Sequence, residues 1–256
     1  MIRVKTPEEI ERMRAAGRVV AQTIESLERS IIPGKTTTFE LDLLAEKLLA
    51  EQGAKSSFKG YRGYPNAVCI AVDEEVVHGI PGQRVLVPGD IVGIDVGALV
   101  NGYHADSAVT VPVGEISAEA RRLLRVARES LFRGIAQAKA GNRLSDISHA
   151  IQQYAERHGY SVVRDLVGHG IGTEMHEEPQ VPNFGKPGRG PVLEVGMTLA
   201  VEPMVNAGNH EVETLADKWT IVTRDRKLSA HFEHTVAVGE KGPDILTLRR
   251  EEGARR

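Results

Sequence analysis

The 256 residues of this chain are 41 % hydrophobic and 26 % charged, the composition of an ordinary folded protein, which excludes disordered and fibrous classes. The 32 basic and 35 acidic residues are well mixed, so no basic face is available for a nucleic acid or an anionic membrane. No apolar run reaches bilayer length, and the N-terminus has no signal-peptide core. The single cysteine, Cys69, cannot form an internal disulfide. We therefore expect a cytoplasmic protein with no nucleic-acid or membrane partner.

Two helices are predicted at the start of the chain, followed by strands. The first helix spans 7–30, because acidic residues follow Thr6-Pro7 and apolar residues recur at helical spacing. Pro33-Gly34 ends this pattern, and threonines that can cap a helix introduce a second helix over 38–52. Strand-like stretches then begin at positions 66, 90 and 105, and Asn101-Gly102 predicts a tight β-hairpin between the last two.

The second half of the chain repeats this order of elements. Helices are predicted near 117–140 and 144–159, and strands near 162–172, 197–206, 217–224 and 229–238. Helix, helix and strands therefore occur twice, without sequence identity between the halves. We expect an α/β (α+β) fold in a single domain, 1–256, with pseudo-symmetric lobes of about 1–115 and 116–256 and antiparallel sheet flanked by helices. A ligand site is expected between the lobes.

Two acidic residues interrupt the otherwise apolar hairpin strands. If Asn101 and Gly102 form the turn, Asp106 lies opposite position 97, on the same side of the sheet as Asp95. Two carboxylates inside an apolar sheet repel each other and lose hydration unless a cation lies between them. The alternative, in which both cap turns or face solvent, is disfavoured by the flanking valines and isoleucines. The pair therefore predicts a metal site.

The second half supplies three more potential ligands in strand-like apolar stretches, namely His169, Glu202 and Glu233. Each has an ordinary alternative, as a hydrogen-bonded core histidine or a glutamate facing water. Together with the aspartates they are enough for two divalent ions, and this oxygen-rich set suits Mn²⁺, Fe²⁺ or Co²⁺ better than structural zinc. Two such ions can hold a bridging hydroxide and polarise a carbonyl, so the set predicts a hydrolase.

With these residues in place, the chain resembles the type I methionine aminopeptidases, whose two-lobed architecture is called the pita-bread fold. The resemblance extends over nearly the whole chain and matches the short bacterial form, without an N-terminal extension or the helical insertion of type II members. Its most specific segments, in order, are NAVCIAVDEEVVHGIPG, GDIVGIDVGALVNGYHADSAVT, GHGIG, MHEEPQVPNFG, GMTLAVEPM and DKWTIVTRDRKLSAHFEHTV.

The resemblance implies which of the two metal ions each predicted ligand holds. Asp95 is expected to hold one ion, and His169 and Glu202 the other, while Asp106 and Glu233 bridge both. Glu202 is also expected to handle the proton of the water that bridges the metals.

Two further histidines are implied to be catalytic without holding a metal. His176 is expected to donate a hydrogen bond to the oxyanion of the tetrahedral intermediate, and His78 to contact the scissile amide or the residue after it. Without the resemblance, both would be interpreted as surface loop histidines.

The pocket for the first side chain is implied to be lined by Tyr61, Tyr64, Cys69 and Trp219, although an ordinary core role is an equal alternative for the cysteine. Three positions depart from common family residues: Phe58 where many bacterial members have cysteine, Arg62 where some have histidine, and Met175 where phenylalanine is common. The shape of the pocket and its tolerance for other substrates depend on these positions.

The function implied is removal of the N-terminal methionine from nascent proteins and peptides when the second residue is small. The expected partners are nascent polypeptide N-termini, with transient association with the ribosome. One rival within the fold is a proline-directed peptidase such as prolidase or aminopeptidase P, which shares the five ligands but usually carries an extra N-terminal domain. A rival of another class is a binding protein of the same fold that uses no metal.

Overall fold

A computed structural model describes residues 2–253 and contains helices at both predicted N-terminal positions. The first helix begins with a capping box, because the hydroxyl of Thr6 accepts from the Glu9 amide and the Glu9 carboxylate accepts from the Thr6 amide. Thr37 and Glu40 repeat the arrangement at the second helix. Within the described residues the helices are α1 (Pro7–Ser30), α2 (Thr38–Glu51), α3 (Ala118–Ile135), α4 (Leu144–Arg157) and the short α5 (Arg250–Gly253). In this part of the chain no helix combines the length and apolar character needed to cross a bilayer.

The strands form antiparallel sheets. Their bounds are β1 (Lys55–Ser56), β2 (Cys69–Val72), β3 (Glu75–Val77), β4 (Ile91–Val100), β5 (Tyr103–Pro112), β6 (Ser161–Val162), β7 (Val167–Gly170), β8 (Glu177–Pro182), β9 (Thr198–Val201), β10 (Met204–Asn206), β11 (Val212–Thr214), β12 (Ile221–Thr223), β13 (Ser229–His231), β14 (His234–Gly239) and β15 (Gly242–Ile245). One sheet is built around β4, which pairs with β1, β2 and β5, and another has the order β15-β14-β9-β7-β8. Two smaller sheets have the orders β13-β10-β6 and β11-β12-β3.

The predicted hairpin is present as β4 and β5. Asn101 and Gly102 form its turn with φ angles of 49° and 84°, the left-handed conformations that a two-residue turn of this kind requires. Gly97 pairs with Asp106, as the position of the turn predicts. Asp95 and Asp106 consequently lie diagonally across the two strands, on one face of the sheet.

The two larger sheets meet where β5 lies beside β14. The hydroxyl of Thr235 donates to the carbonyl of Asp106 (2.8 Å) and accepts from its amide (2.9 Å). The amide of Glu233 donates to the carbonyl of Ala108 (2.9 Å). Because both acids belong to this seam, backbone hydrogen bonds fix their distance from each other.

Several predicted strands are interrupted in the structure. The stretch 197–206 divides into β9 and β10 around Glu202-Pro203, because proline has no amide hydrogen to continue a ladder. The stretch 229–238 divides into β13 and β14 immediately before and after Phe232-Glu233. Both predictions of one continuous strand were wrong, and both breaks fall at a predicted metal ligand.

Other boundaries also differ from the prediction. The stretch 162–172 contains β6 and β7 with a gap, and 217–224 shortens to β12 because the Asp217 carboxylate accepts from the amides of Trp219 and Thr220 and holds a turn there. The helix predicted to 140 ends at Ile135, where turns with hydrogen bonds between residues three apart take over. The sequence did not predict β8.

The second helix of each half is held in the same way. In the first half the start of α2 exchanges two backbone hydrogen bonds with 84–86, and in the second half the start of α4 exchanges two with 191–193. The division of the single domain into related lobes at about residue 115 stays a prediction.

We predict that Asp42→Ala destabilises the fold by about 2–4 kcal/mol, because its buried carboxylate accepts from the amides of Ala67 and Val68 and from the side chain of Asn66. These bonds tie α2 to the segment before β2. The control is Glu46→Ala on the same helix, where a half-exposed ion pair with Lys59 should contribute about 0–1 kcal/mol. Urea unfolding measures both, and equal losses would contradict the assignment.

Candidate metal centre

A cavity of about 270 Å³ opens between the sheets. Every site residue predicted from the sequence lines it, including those from the first half of the chain and those from the second. These residues are Tyr61, Tyr64, Cys69, His78, Asp95, Asp106, His169, His176, Glu202, Trp219 and Glu233.

The predicted metal ligands converge at one end of this cavity. Ligand atoms of Asp106, His169 and Glu233 all lie within 4.8 Å of one another, and all three residues are buried. Nε2 of His169 lies 3.6 Å from Oε1 of Glu202, whose side chain is 14 % exposed. Asp95 lies beside Asp106 on the hairpin. The structure thus brings the five residues together, while their individual roles stay predictions.

The electrostatics of the cluster are those of acids crowded away from water. Burial, and then repulsion by Asp106, raise the pKa values of Asp95, Glu202 and Glu233 well above their ordinary range. Burial raises the pKa of Asp106 to about 7. Because the four carboxylates lie close together, ionising all of them is unfavourable unless a cation binds between them.

His169 has the protonation state of a metal ligand. Its Nδ1 lies 2.8 Å from the carbonyl of Gly170, and a carbonyl can only accept, so this nitrogen carries the hydrogen. Burial lowers the pKa of the imidazole to about 4, which keeps the ring neutral. The lone pair of Nε2 is therefore directed toward the carboxylates, and the hydrogen bond from Nδ1 to Gly170 fixes the orientation of the ring.

The donor atoms left without partners fit a bound divalent metal. Among the described residues, Oδ1 of Asp95, Oδ1 of Asp106 and Oε1 of Glu233 are buried and accept no hydrogen bond. Buried acceptors without donors are costly, and a cation satisfies several at once. Oxygen donors with one imidazole suit first-row divalent ions.

Strand interruptions place two of the three ligands from the second half of the chain. His169 instead lies in regular pairing, opposite Gln180 of β8 and Ala200 of β9, and the residues without a partner at the register shift belong to β8. Glu202 and Glu233 lie at the strand interruptions, outside regular pairing. The carbonyl of Glu233 accepts from the Ser107 hydroxyl (2.6 Å), which fixes its backbone.

The two predicted catalytic histidines line the open part of the cavity. Nδ1 of His176 lies 2.8 Å from the hydroxyl of Tyr61, and its ring centroid is 4.2 Å from that of His169. His78 has a φ of 58°, a left-handed backbone that is uncommon outside glycine and is often found at functional sites. Burial lowers the pKa values of both histidines, so both are neutral at physiological pH.

The predicted side-chain pocket adjoins the carboxylates directly. Cys69 pairs with Asp95 across β2 and β4, so the pocket wall and a predicted ligand occupy neighbouring strands. The Tyr64 and Trp219 rings meet edge to face at 5.1 Å, and the Tyr64 hydroxyl donates to the carbonyl of Gly79 (2.9 Å). The walls are therefore rigid and mainly apolar.

The three residues that depart from the family pattern also line this cavity. Phe58 packs over Gly97, where a Cβ atom would lie 2.6 Å from its ring. Met175 is buried in the same apolar cluster, and the Arg62 guanidinium lies 5.3 Å from the centre of the Tyr61 ring. Phe58 and Met175 thus form part of the apolar wall of the pocket, while Arg62 adds a positive charge at its rim.

Two residues near Glu202 were missed in the sequence. Nε2 of the buried His231 lies 3.8 Å from Oε2 of Glu202, and burial lowers the pKa of this histidine to about 3. The side chain of Asn183 donates to the carbonyl of Glu202 (3.0 Å). The position of His231, two residues before Glu233, was an available signal, whereas nothing near Asn183 in the sequence indicates its contact.

Comparison with known proteins decides the family. Residues 11–240 match the description of metallopeptidase family M24. The chain belongs to this family. It is 58 % identical to methionine aminopeptidase 1 of Bacillus subtilis, over 96 % of this chain and 99 % of that protein. A solved methionine aminopeptidase from Thermotoga maritima superposes with a TM-score of 0.95 at 48 % identity, over 96 % of this chain and 99 % of that one.

A more distant solved structure shares the fold. Prolidase from Pyrococcus furiosus has a TM-score of 0.78 at 24 % identity, and the match covers 96 % of this chain but 66 % of that one. At this identity the likeness concerns the fold alone. The expected pita-bread fold is confirmed, as is the resemblance to the type I methionine aminopeptidases. The chain is a metallopeptidase.

We predict that Asp106→Asn raises the melting temperature of the chelator-treated M24 protein at pH 8 and lowers it relative to wild type once Mn²⁺ is added. The substitution removes a buried repulsive charge when no metal is bound, and removes a ligand when metal is bound. The control is Asp244→Asn, at a half-exposed ion pair with Arg14, which should show no reversal. A variant less stable than wild type under both conditions would contradict the account.

Proposed function

We propose that this M24 enzyme removes the N-terminal methionine from peptides and nascent proteins when the second residue is small, in the cytoplasm. The observation that carries the proposal is the junction of the carboxylate cluster with an aromatic pocket, where Cys69 and Asp95 are directly paired. A substrate whose first side chain fills that pocket has its first peptide bond beside the cluster. The names of the relatives support the same activity.

The five clustered residues would hold two divalent ions, Mn²⁺, Fe²⁺ or Co²⁺. Asp95 would serve one ion, His169 and Glu202 the other, and Asp106 with Glu233 both. The shared position of Asp106 and Glu233 is supported by their ligand atoms, which lie within 4.8 Å of each other and of a ring nitrogen of His169. When bound, such ions supply Lewis acidity toward the substrate carbonyl and an activated water as nucleophile.

Glu202 is the residue best placed to move protons. Its carboxylate faces the cavity, and burial, followed by repulsion from Asp106, raises its pKa, which favours the uptake of a proton from an attacking water. Asn183 holds its carbonyl and His231 lies beside its second oxygen. These contacts restrain the Glu202 backbone and flank its carboxylate. Glu202 would then deliver the proton to the leaving amine.

His176 would stabilise the oxyanion. The Tyr61 hydroxyl donates to Nδ1 in this assignment, so the hydrogen of the neutral ring is on Nε2 and available to an oxygen that gains charge. His78 would contact the scissile amide or the residue after it. Its left-handed backbone fixes the ring at the cavity wall, where it limits the size of the second substrate residue.

The pocket favours an unbranched, polarizable side chain. The Tyr64 and Trp219 rings present flat apolar surfaces, and the Cys69 sulfur adds a soft contact suited to a thioether. Nascent polypeptide N-termini are the corresponding partners in the cell, with transient contact to the ribosome where they emerge.

We predict that Met-Ala-Ser is hydrolysed fastest, Met-Lys and Met-Phe peptides slowly, and Ala-Pro-Ala hardly at all. Chelation should abolish turnover, and Mn²⁺, Fe²⁺ or Co²⁺ should restore it. The reason is steric fit at the pocket and at His78, together with the unpartnered oxygens of the cluster. A preference for Ala-Pro-Ala would favour a proline-directed peptidase, and full turnover by metal-free protein would exclude the metal mechanism.

We predict that His176→Ala lowers kcat by about 10²- to 10³-fold, the usual effect of removing one oxyanion donor. Metal content and substrate affinity should change little, because this hydrogen bond strengthens only as the carbonyl oxygen gains charge. The control is His149→Ala, whose ring contacts the carbonyl of Gly185 outside the cavity. Normal kcat in His176→Ala would refute the role, and loss of metal would make His176 a ligand.

A further inference from the structure

A buried ion pair joins the N-terminal segment to the second half of the chain. Nζ of Lys5 lies 2.6 Å from Oε2 of Glu177, and each side chain is 5 % exposed. The free energy lost by removing two charges from water is usually as large as the attraction between them, so such a pair is weak evidence of added stability. Its geometry indicates what it holds in place.

Lys5 is itself fixed in position before α1 begins. Its amide donates to the carbonyl of Gly196 (2.8 Å), which has a φ of 94° and approaches so closely that a Cβ atom there would lie 2.5 Å from the Lys5 carbonyl oxygen. Nζ also donates to the carbonyl of Arg3 (3.3 Å). The ammonium group therefore has little freedom to follow a moving partner.

Glu177 connects this anchor to the loop between β7 and β8. One carboxylate oxygen accepts from Lys5, and the other accepts from the amide of Glu174 (3.3 Å). The carbonyl of Glu174 accepts from the amide of Gly172 (3.1 Å). A Cβ atom at Gly172 would lie 2.6 Å from both Lys5 Cε and Glu177 Oε1, so the loop backbone packs directly on the ion pair.

His176 is the residue immediately before Glu177, at the end of this loop. Its ring is exposed toward the cavity and is held there by the Tyr61 hydroxyl and by contact with the His169 ring. These contacts orient the imidazole, but the position of the whole side chain follows from its backbone. That backbone leads directly into the residue anchored by Lys5.

We propose that Lys5 is a positioning residue for His176, acting through Glu177 and the loop 171–176. This inference rests on the proposed function, in which His176 stabilises the oxyanion. An oxyanion donor must be placed within a few tenths of an ångström, and small displacements are costly in rate. The N-terminal segment is thereby part of the apparatus that orders the active site, although Lys5 touches no substrate.

The neighbouring Arg3 offers a matched control. Its guanidinium donates to the Thr173 hydroxyl (2.8 Å) in the same loop but lies 4.0 Å from Glu177 with a side chain 61 % exposed. The exposed Arg3 side chain thus contacts the loop at its surface, whereas the Lys5 side chain contacts it from a buried position. Replacing each by methionine removes one charge and keeps an unbranched side chain.

The test compares Lys5→Met, Glu177→Gln and Arg3→Met. In metal-free protein, hydrogen exchange of peptides covering 171–177 should be about tenfold faster in the first two variants than in wild type and unchanged in Arg3→Met. In the metal-loaded enzyme, Lys5→Met and Glu177→Gln should each lower kcat about tenfold, with KM and metal content within about twofold of wild type. Glu177→Gln keeps the test available if Lys5→Met does not fold.

Introducing Lys5→Met into the His176→Ala protein separates positioning from general structural damage. If Lys5 acts through His176, the double variant has the same kcat as His176→Ala alone. A further tenfold loss in the double variant, or unchanged exchange in both Lys5→Met and Glu177→Gln, would overturn the proposal. Should the wild-type enzyme fail to cleave methionyl peptides, the proposed function fails, while the exchange comparison in metal-free protein still decides whether Lys5 orders the loop.

Discussion

The mutual repulsion of four carboxylates at one end of the cavity is the constraint on which the rest of this structure depends. Burial raises the pKa of each of the four carboxyl groups, those of Asp95, Asp106, Glu202 and Glu233. When no cation is bound, this arrangement does not stabilise the sheets or the helices. The backbone around the acids therefore has to hold them by other means.

Hydrogen bonds along the seam between β5 and β14 supply that restraint. Thr235 bonds both backbone groups of Asp106, and Ser107 holds the carbonyl of Glu233. Glu202 is held through its carbonyl by Asn183. These three acids are thus fixed through their main chains, and the buried Oδ1 of Asp106 and Oε1 of Glu233 are left without hydrogen-bond partners. A site organised in this way is ordered before substrate arrives, as catalysis by electrostatic stabilisation requires.

The same principle extends outward to the loop before β8. His169 is fixed by the carbonyl of Gly170, and the loop that carries His176 packs on the ion pair between Lys5 and Glu177. Charged groups that contact no substrate can therefore serve catalysis by limiting backbone motion. The aromatic pocket adds a second boundary, in which the Tyr64 and Trp219 rings pack edge to face beside the carboxylates.

The sequence by itself determined the features that depend on neighbouring residues. The capping residues Thr6 and Thr37 predicted both N-terminal helix starts, and Asn101-Gly102 predicted a hairpin register that placed Asp95 and Asp106 on one face. Local hydrogen bonds and side-chain alternation decide such features, so a short window of sequence contains the necessary information.

Only the tertiary structure decided the rest. The contact of His231 with Glu202 and the pairing of Lys5 with Glu177 join segments far apart in the chain. At the strand break beside Glu233, its amide bonds the carbonyl of Ala108 in the other large sheet. In each stretch the local pattern favours a continuous strand or an exposed charge. Packing of the two larger sheets overrides that preference, and no local signal states which distant partner a side chain will meet.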